Sequence, residues 1–179
     1  KSQGKLKKNA IVATIMSNLG LFQMGEREGI TIPKTKVGDR YVLEKMRAEG
    51  YILGGEQSGH VIFLEHNTTG DGLITAVQVI SAMVQAQRPL SRLAGVMQMM
   101  PQSQYAANVD DKKKYDFDKN EKIKQKIAEL ELKYKDKGRL VVRASGTEPL
   151  IRVMVEAKTT QQAKEVAEKL AAFVKTLKI

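Results

Sequence analysis

The chain has 179 residues, with 30 Lys+Arg against 20 Asp+Glu, no Cys, no Trp and 42% hydrophobic residues. That length holds one ordinary domain or two small ones, and the apolar fraction excludes wholesale disorder. Without Cys there is no disulfide framework, thiolate metal site or Cys nucleophile. No apolar run approaches the roughly 20 residues of a membrane span, and no signal-like segment opens the chain, so the expectation is a soluble cytoplasmic protein without a membrane partner.

The formal charge of +10 is spread along the chain: 12 Lys+Arg against 8 Asp+Glu in residues 1–100, and 18 against 12 beyond. The one small cluster is Lys1, Lys5, Lys7 and Lys8. Spread lysine reads first as solvated surface, and second as attraction for an anion such as a phosphate ester. Aromatics are 5%, and no basic stretch is interleaved with Phe or Tyr, which argues against nucleic acid.

Residues 10–16 are apolar and β-branched, suited to a strand buried on both faces. Ser17-Asn18 is a capping pair for a helix that ends at Gly29. Residues 30–37 read as a second strand, with Pro33 marking an edge or an irregular start. Gly38-Asp39 opens a helix with Tyr41, Val42, Leu43 and Met46 inward, closing at Gly50. Residues 51–64 are strand-like but interrupted by Gly54, Gly55 and Gly59, and a polar loop then leads to an apolar helix over 73–87.

Strands alternating with helices predict an α/β layered domain over 1–88, and the change of character at Arg88-Pro89 predicts a linker over 89–103. Residues 104–179 read as a small α+β domain: a strand, a helix opened by a capping box at Asp118–Glu121, two strands and a last helix from Thr159. The fold class is therefore α/β, an α/β/α-layered domain followed by an α+β domain with an antiparallel sheet and two helices. In the strand at 150–157, Ile151, Val153 and Val155 alternate with Arg152, Met154 and Glu156, the half-buried pattern.

Three segments can carry chemistry. In Gly54-Gly55-Glu56-Gln57-Ser58-Gly59-His60, an extended backbone puts Glu56, Ser58 and His60 on one face. A carboxylate there accepts from sugar hydroxyls, Ser donates or accepts, and His exchanges protons, making His60 a candidate acid/base. A polar hairpin with incidental residues explains the same segment. In Arg143-Ala-Ser-Gly-Thr-Glu-Pro149, a strand ends in a loop offering Arg143, Ser145, Gly146 and Thr147, with Arg152 close by. Guanidinium, hydroxyls and backbone N–H together grip a phosphate without a metal; an ordinary turn with a surface arginine is the other reading. At Asp39-Arg40, Asp39 suits an N-cap and Arg40 reaches toward a ligand, although capping alone accounts for Asp39. His66 reads as a surface-loop residue, and no cluster has metal-ligand spacing.

The runs at 54–60 and 143–152 resemble the α-D-phosphohexomutase superfamily. With Val-Gly-Asp-Arg-Tyr-Val at 37–42 and Asn-Thr-Thr-Gly-Asp-Gly at 67–72, the resemblance is nearest to its bacterial phosphoglucosamine mutase branch. Four motifs in the right order cover nearly the whole chain. Such enzymes have four domains, and the chain resembles the third and fourth. The resemblance implies that Glu56 and Ser58 hold sugar hydroxyls with His60 beside them, and that Arg143, Ser145, Gly146 and Thr147, with Arg152 nearby, grip the phosphate not being transferred. It implies hexosamine phosphate as substrate, glucosamine 1,6-bisphosphate as intermediate and activator, and a homodimer of the full-length enzyme. It also implies Mg2+ held by ligands outside this chain. The family's Ser-His-Asn and Asp-Gly-Asp-x-Asp-Arg motifs do not occur here, so the start at Lys1 reads as a truncation. A phosphomannomutase or phosphoglucomutase is the neighbouring reading, and an anion- or nucleic-acid-binding module the distant one.

Overall fold

The structure, a computed structural model, describes residues 1, 3–110, 114–134, 138–146 and 148–176. They divide into two units, Lys1–Met99 and Met100–Ile179.

In the first unit the apolar run becomes β1 (Val12–Thr14), all three residues buried. Asn18 then caps α1 (Leu19–Glu28), its side-chain oxygen accepting from the Gly20 N–H at 2.9 Å. The second expected strand is cut short. Pro33 has no N–H to give a ladder, and pairing is confined to β2 (Lys34–Thr35) and an isolated bridge between Ala10 and Thr31. There follow α2 (Asp39–Glu49), β3 (Leu53–Gly55), β4 (Val61–Phe63), α3 (Gly72–Ala86) and a single turn, α4 (Leu90–Leu93). The sheet order is β2-β1-β3-β4, with β1 parallel to both neighbours and β4 antiparallel to β3.

The core of this unit is Val12, Val42, Met46 and Ile62, with Leu43 packed at its margin. Tyr41, expected inward with them, is 42% exposed. Successive helical positions are about 100° apart, so residue 41 turns away from the side that 42 and 46 share.

The second unit consists of β5 (Gln102–Asn108), α5 (Glu121–Tyr134), β6 (Gly138–Ala144), β7 (Leu150–Ala157) and α6 (Thr160–Thr176). Its sheet is antiparallel in the order β5-β7-β6. Val166, Ala167, Leu170 and Ala171 of α6 pack with Leu140, Val153 and Val155, and Leu130 and Tyr134 of α5 join them.

Two expectations need correction here. The cap of α5 is Asn120, whose Oδ1 accepts from the Lys122 and Ile123 N–H groups at 3.1 and 3.3 Å. A 3-10 turn over Lys114–Lys119 occupies the position where the capping box would have started the helix. The strand β7 is buried on both faces rather than half-buried, since Met154 and Glu156 are as inaccessible as Ile151, Val153 and Val155. It is the middle strand, and Arg139, directly opposite on β6, neutralises the Glu156 carboxylate at 2.8 Å.

Candidate functional site

The segment 54–60 is not extended. Its first two residues end β3, and the chain then reverses through a turn in which the Glu56 N–H donates to the His60 carbonyl at 2.9 Å and the Gly59 N–H to the Glu56 carbonyl at 3.1 Å. The alternation argument for Glu56, Ser58 and His60 therefore fails, yet the turn still gathers polar groups. Ser58 Oγ lies 3.2 Å from His60 Nδ1, and both side chains are exposed. Glu56 is held separately: its Oε1 accepts from the Gly38 N–H at 2.8 Å, at the start of α2. A carboxylate at a helix N-terminus is stabilised by the unpaired N–H groups and by the helix dipole. The residue capping α2 is thus Gly38, with φ 129, and the capping acceptor comes from across the sheet.

Asp39 is the first helical residue, its Oδ1 accepting from the Arg40 N–H at 2.8 Å. Arg40 turns along its own helix to Glu44 at 2.7 Å. Neither side chain meets the 56–60 turn through these bonds.

Three further groups support the turn and were not singled out from the sequence. Thr14, fully buried at the end of β1, donates from Oγ1 to Gln57 Oε1 at 3.4 Å. Gly70 packs against His60 so closely that an added Cβ would lie 3.1 Å from the imidazole Cδ2. Asp71 caps α3, accepting from the Leu73 and Ile74 N–H groups at 2.9 and 3.0 Å, while its own N–H donates to the Val61 carbonyl. The sequence signal for Gly70 and Asp71 was the Asn-Thr-Thr-Gly-Asp-Gly run, which fixes His60 from behind and starts the next helix, whereas Thr14 had none. Backbone N–H donation, chiefly from Ile74, holds the Asp71 carboxyl below the ordinary aspartate range. His66 lies 3.0 Å from Gln78 of α3 through its Nε2.

In the second unit, Arg143 near the end of β6 stands directly opposite Arg152 of β7. Residues 152, 154 and 156 share one face of the sheet, and 151, 153 and 155 the other, the one packed with α6. The two guanidinium-bearing residues are thus cross-strand neighbours away from the helices. Arg152 donates to the Glu148 carboxylate. Arg143 has one long contact, Nη1 to the Ala144 carbonyl at 3.4 Å, and its Nε is buried with no hydrogen-bond partner among the described residues. Burial, and secondarily the charge of Arg152, hold the Arg143 guanidinium below its ordinary range.

The loop after Arg143 is closed by Ser145, whose N–H donates to the Leu150 carbonyl at 2.9 Å and whose Oγ accepts from the Glu148 N–H at 3.3 Å. Ser145 is buried, so its hydroxyl shapes the loop as well as facing it. Gly146 is exposed, with open space where a Cβ would point. Thr147 lies outside the described residues. Among the described residues no group of three or more His, Asp or Glu could hold a metal ion. No described helix is long and apolar enough to cross a membrane.

The chain matches two family models, the phosphoglucomutase/phosphomannomutase alpha/beta/alpha domain III over residues 1–100 and the phosphoglucomutase/phosphomannomutase C-terminal domain over residues 106–173. It is 55% identical over 170 residues to a phosphoglucosamine mutase of Ruminiclostridium cellulolyticum, covering 93% of this chain and 38% of that protein. To the phosphoglucosamine mutase of Bacillus subtilis it is 48% identical over 176 residues, covering 98% and 39%. The chain therefore spans about two fifths of the length of these curated relatives. Among solved structures, an Aspergillus fumigatus N-acetylphosphoglucosamine mutase in complex with GlcNAc-6P and magnesium superimposes with a TM-score of 0.79 at 19% identity, over 95% of this chain and 39% of that one. The turn at 54–60 and the arginine pair thus sit in a chain that belongs to the phosphoglucomutase/phosphomannomutase family, of which it spans domain III and the C-terminal domain.

Proposed function

We propose that this chain is the substrate-holding part of a phosphoglucosamine mutase, which interconverts glucosamine 6-phosphate and glucosamine 1-phosphate through a phosphoserine and glucosamine 1,6-bisphosphate. One observation carries the phosphate half of that reading. Arg143 faces a second guanidinium across the ladder and keeps a buried Nε without an acceptor among the described residues. An arriving phosphate supplies the acceptor and cancels the repulsion. The relatives' names supply the sugar: the proteins at 48–55% identity are phosphoglucosamine mutases.

The reaction needs the sugar held while either end is presented for transfer. In this reading Arg143, Ser145, Gly146 and Thr147, with Arg152 beside them, hold the distal phosphate. Glu56, held at the start of α2 by the Gly38 N–H, accepts from sugar hydroxyls. Ser58 and His60 contact the sugar beside it, and His60 moves the hydroxyl proton. Remote contacts of this kind position the reacting group. The acceptor serine and the magnesium ligands belong to a part of the enzyme outside this chain. The same reading places the enzyme in the cytoplasm, as a phosphoprotein and homodimer feeding peptidoglycan precursors.

The test is an NMR titration with glucosamine 6-phosphate. Shifts are expected at 143–152 and 54–60, with an affinity on the order of millimolar for part of a site. Arg143→Ala should lose roughly tenfold or more, since a charge-assisted bond contributes about 1.5–3 kcal/mol. Arg143→Lys should rescue poorly, lacking the planar fork. Equal responses of wild type and Arg143→Ala, or shifts confined to Lys1–Lys8, would refute the assignment.

A further inference from the structure

Helix α3 is unlike the other long helices of the chain. Its fifteen residues, Gly72–Ala86, contain no Asp, Glu, Lys or Arg, and none of them is buried. Leu73, Val77, Ile80 and Val84 are 82%, 63%, 57% and 69% exposed. Their spacings of four, three and four residues put all of them on one side of the helix. The side toward β4 is already used, with Ile74, Gln78 and Val79 half-buried. A surface helix ordinarily sets charged residues opposite its apolar stripe, whereas one apolar all round is covered on all sides. Single exposed hydrophobics need no explanation, but a continuous stripe marks a contact surface.

We propose that this outward stripe of α3 docks against the part of the longer protein that precedes Lys1. The occupant rests on the reading that the chain is one part of a mutase about two and a half times its length. Two observations choose it. The chain accounts for only 38–39% of its relatives' length, so most of such a protein remains to be packed somewhere. The entry point is also beside the helix: Lys1, Gln3 and Lys5 line the same cavity, about 960 Å3, as Gln78, Ser81 and Gln85 of α3. Gln3 donates directly to Gln85. A polypeptide joined to Lys1 emerges next to the uncovered stripe. A lipid surface fits less well, because fifteen residues rise only about 22 Å and the helix itself carries no Lys or Arg on its polar side for head groups.

The chain has no cysteine, so single cysteines report cleanly on cover. Val77→Cys and Val84→Cys are labelled with a thiol reagent, first in this chain and then in a chain restored by joining the preceding segment of the Ruminiclostridium cellulolyticum relative to Lys1. Leu132→Cys, on α5 and 76% exposed, is the control. Fast labelling in this chain and at least tenfold slower labelling of positions 77 and 84 in the restored chain, with position 132 unchanged, is expected. Equal rates in the two chains overturn the proposal. Slow labelling in this chain already does so too, by giving the stripe to the second unit or, if concentration-dependent, to a second copy. Hydroxyl-radical footprinting of the intact Ruminiclostridium cellulolyticum protein does not depend on the joined chain folding: protection at the residues aligned with 73, 77, 80 and 84 supports the proposal, and free oxidation there overturns it. Turnover of glucosamine 6-phosphate by the restored chain is measured separately. Protection without turnover leaves the docking surface standing and fails the mutase reading, while turnover without protection does the reverse.

Discussion

At Gly54 the first unit depends on the absence of an atom. A Cβ there would lie 2.7 Å from Met46 Sδ and Val42 Cγ1 and 3.2 Å from the Val12 carbonyl oxygen, all in the core under α2. Gly54→Ala is expected to destabilise the unit by roughly 1–3 kcal/mol, the usual cost of overpacking, read as a lower denaturation midpoint with an unchanged slope. At Asp71 the effect is electrostatic. Its carboxyl is held below the ordinary range, so the stabilisation it gives α3 is present above the unfolded aspartate pKa of about 4 and is lost as pH falls through the lower folded value. Wild type should therefore exceed Asp71→Ala in melting temperature near neutrality, and the gap should close on acidification. A gap that persists at low pH would assign the effect to something other than the carboxylate. The candidate residues were legible as residue types: Glu56, Ser58, His60 and Arg143 stand out by chemistry alone. Their geometry was not, because whether a glycine-rich run is extended or turned depends on what pairs with its flanks. Here β3 and β4 pair with each other, and that reverses the chain at residues 56–60.

The second sheet shows the same limit one level up. Alternation along 150–157 correctly announced a strand, and residue spacing correctly announced α6. Neither could announce that β7 has a neighbour on each side. Burial of Glu156 follows from that position and from Arg139 facing it in register. Removing one member of such a buried pair leaves the other uncompensated, so Glu156→Gln is expected to cost about 3–5 kcal/mol. Replacing both by apolar residues, Arg139→Met with Glu156→Leu, should cost less than either single change. A fully additive double variant in urea denaturation would refute the pairing argument. The shortened β2 and the displaced start of α5 have local causes, a proline without an N–H and a 3-10 turn that uses up the expected cap. Both are competitions between neighbouring elements rather than failures of residue preference.

Over the whole chain, the order of motifs in the sequence anticipated the two matched domains, although each is tied together by sequence-distant pairings, β1 with β3 in the first and β5 with β7 in the second. The loop proposed to hold phosphate lies in the unit Met100–Ile179 and the polar turn in the unit Lys1–Met99. Calorimetry should accordingly show two transitions. Inorganic phosphate should raise only the one that belongs to the second unit, by about 1.4 kcal/mol at ten times its dissociation constant. Arg143→Ala should remove that response without merging the transitions. A single transition that moves as a whole with phosphate would contradict the independence of the units.

The ladder that sets Arg143 against Arg152 also restricts how this family can vary. Side chains alternate along a strand, so one residue inserted or deleted in β6 or β7 would send one arginine to the helix-covered face while the other stayed behind. Only paired changes, or changes of two residues, keep both on the same side. Length changes that keep the two arginines together are therefore expected only in the connections around this hairpin, and the separation of the two charges can drift only in whole steps of the pleat.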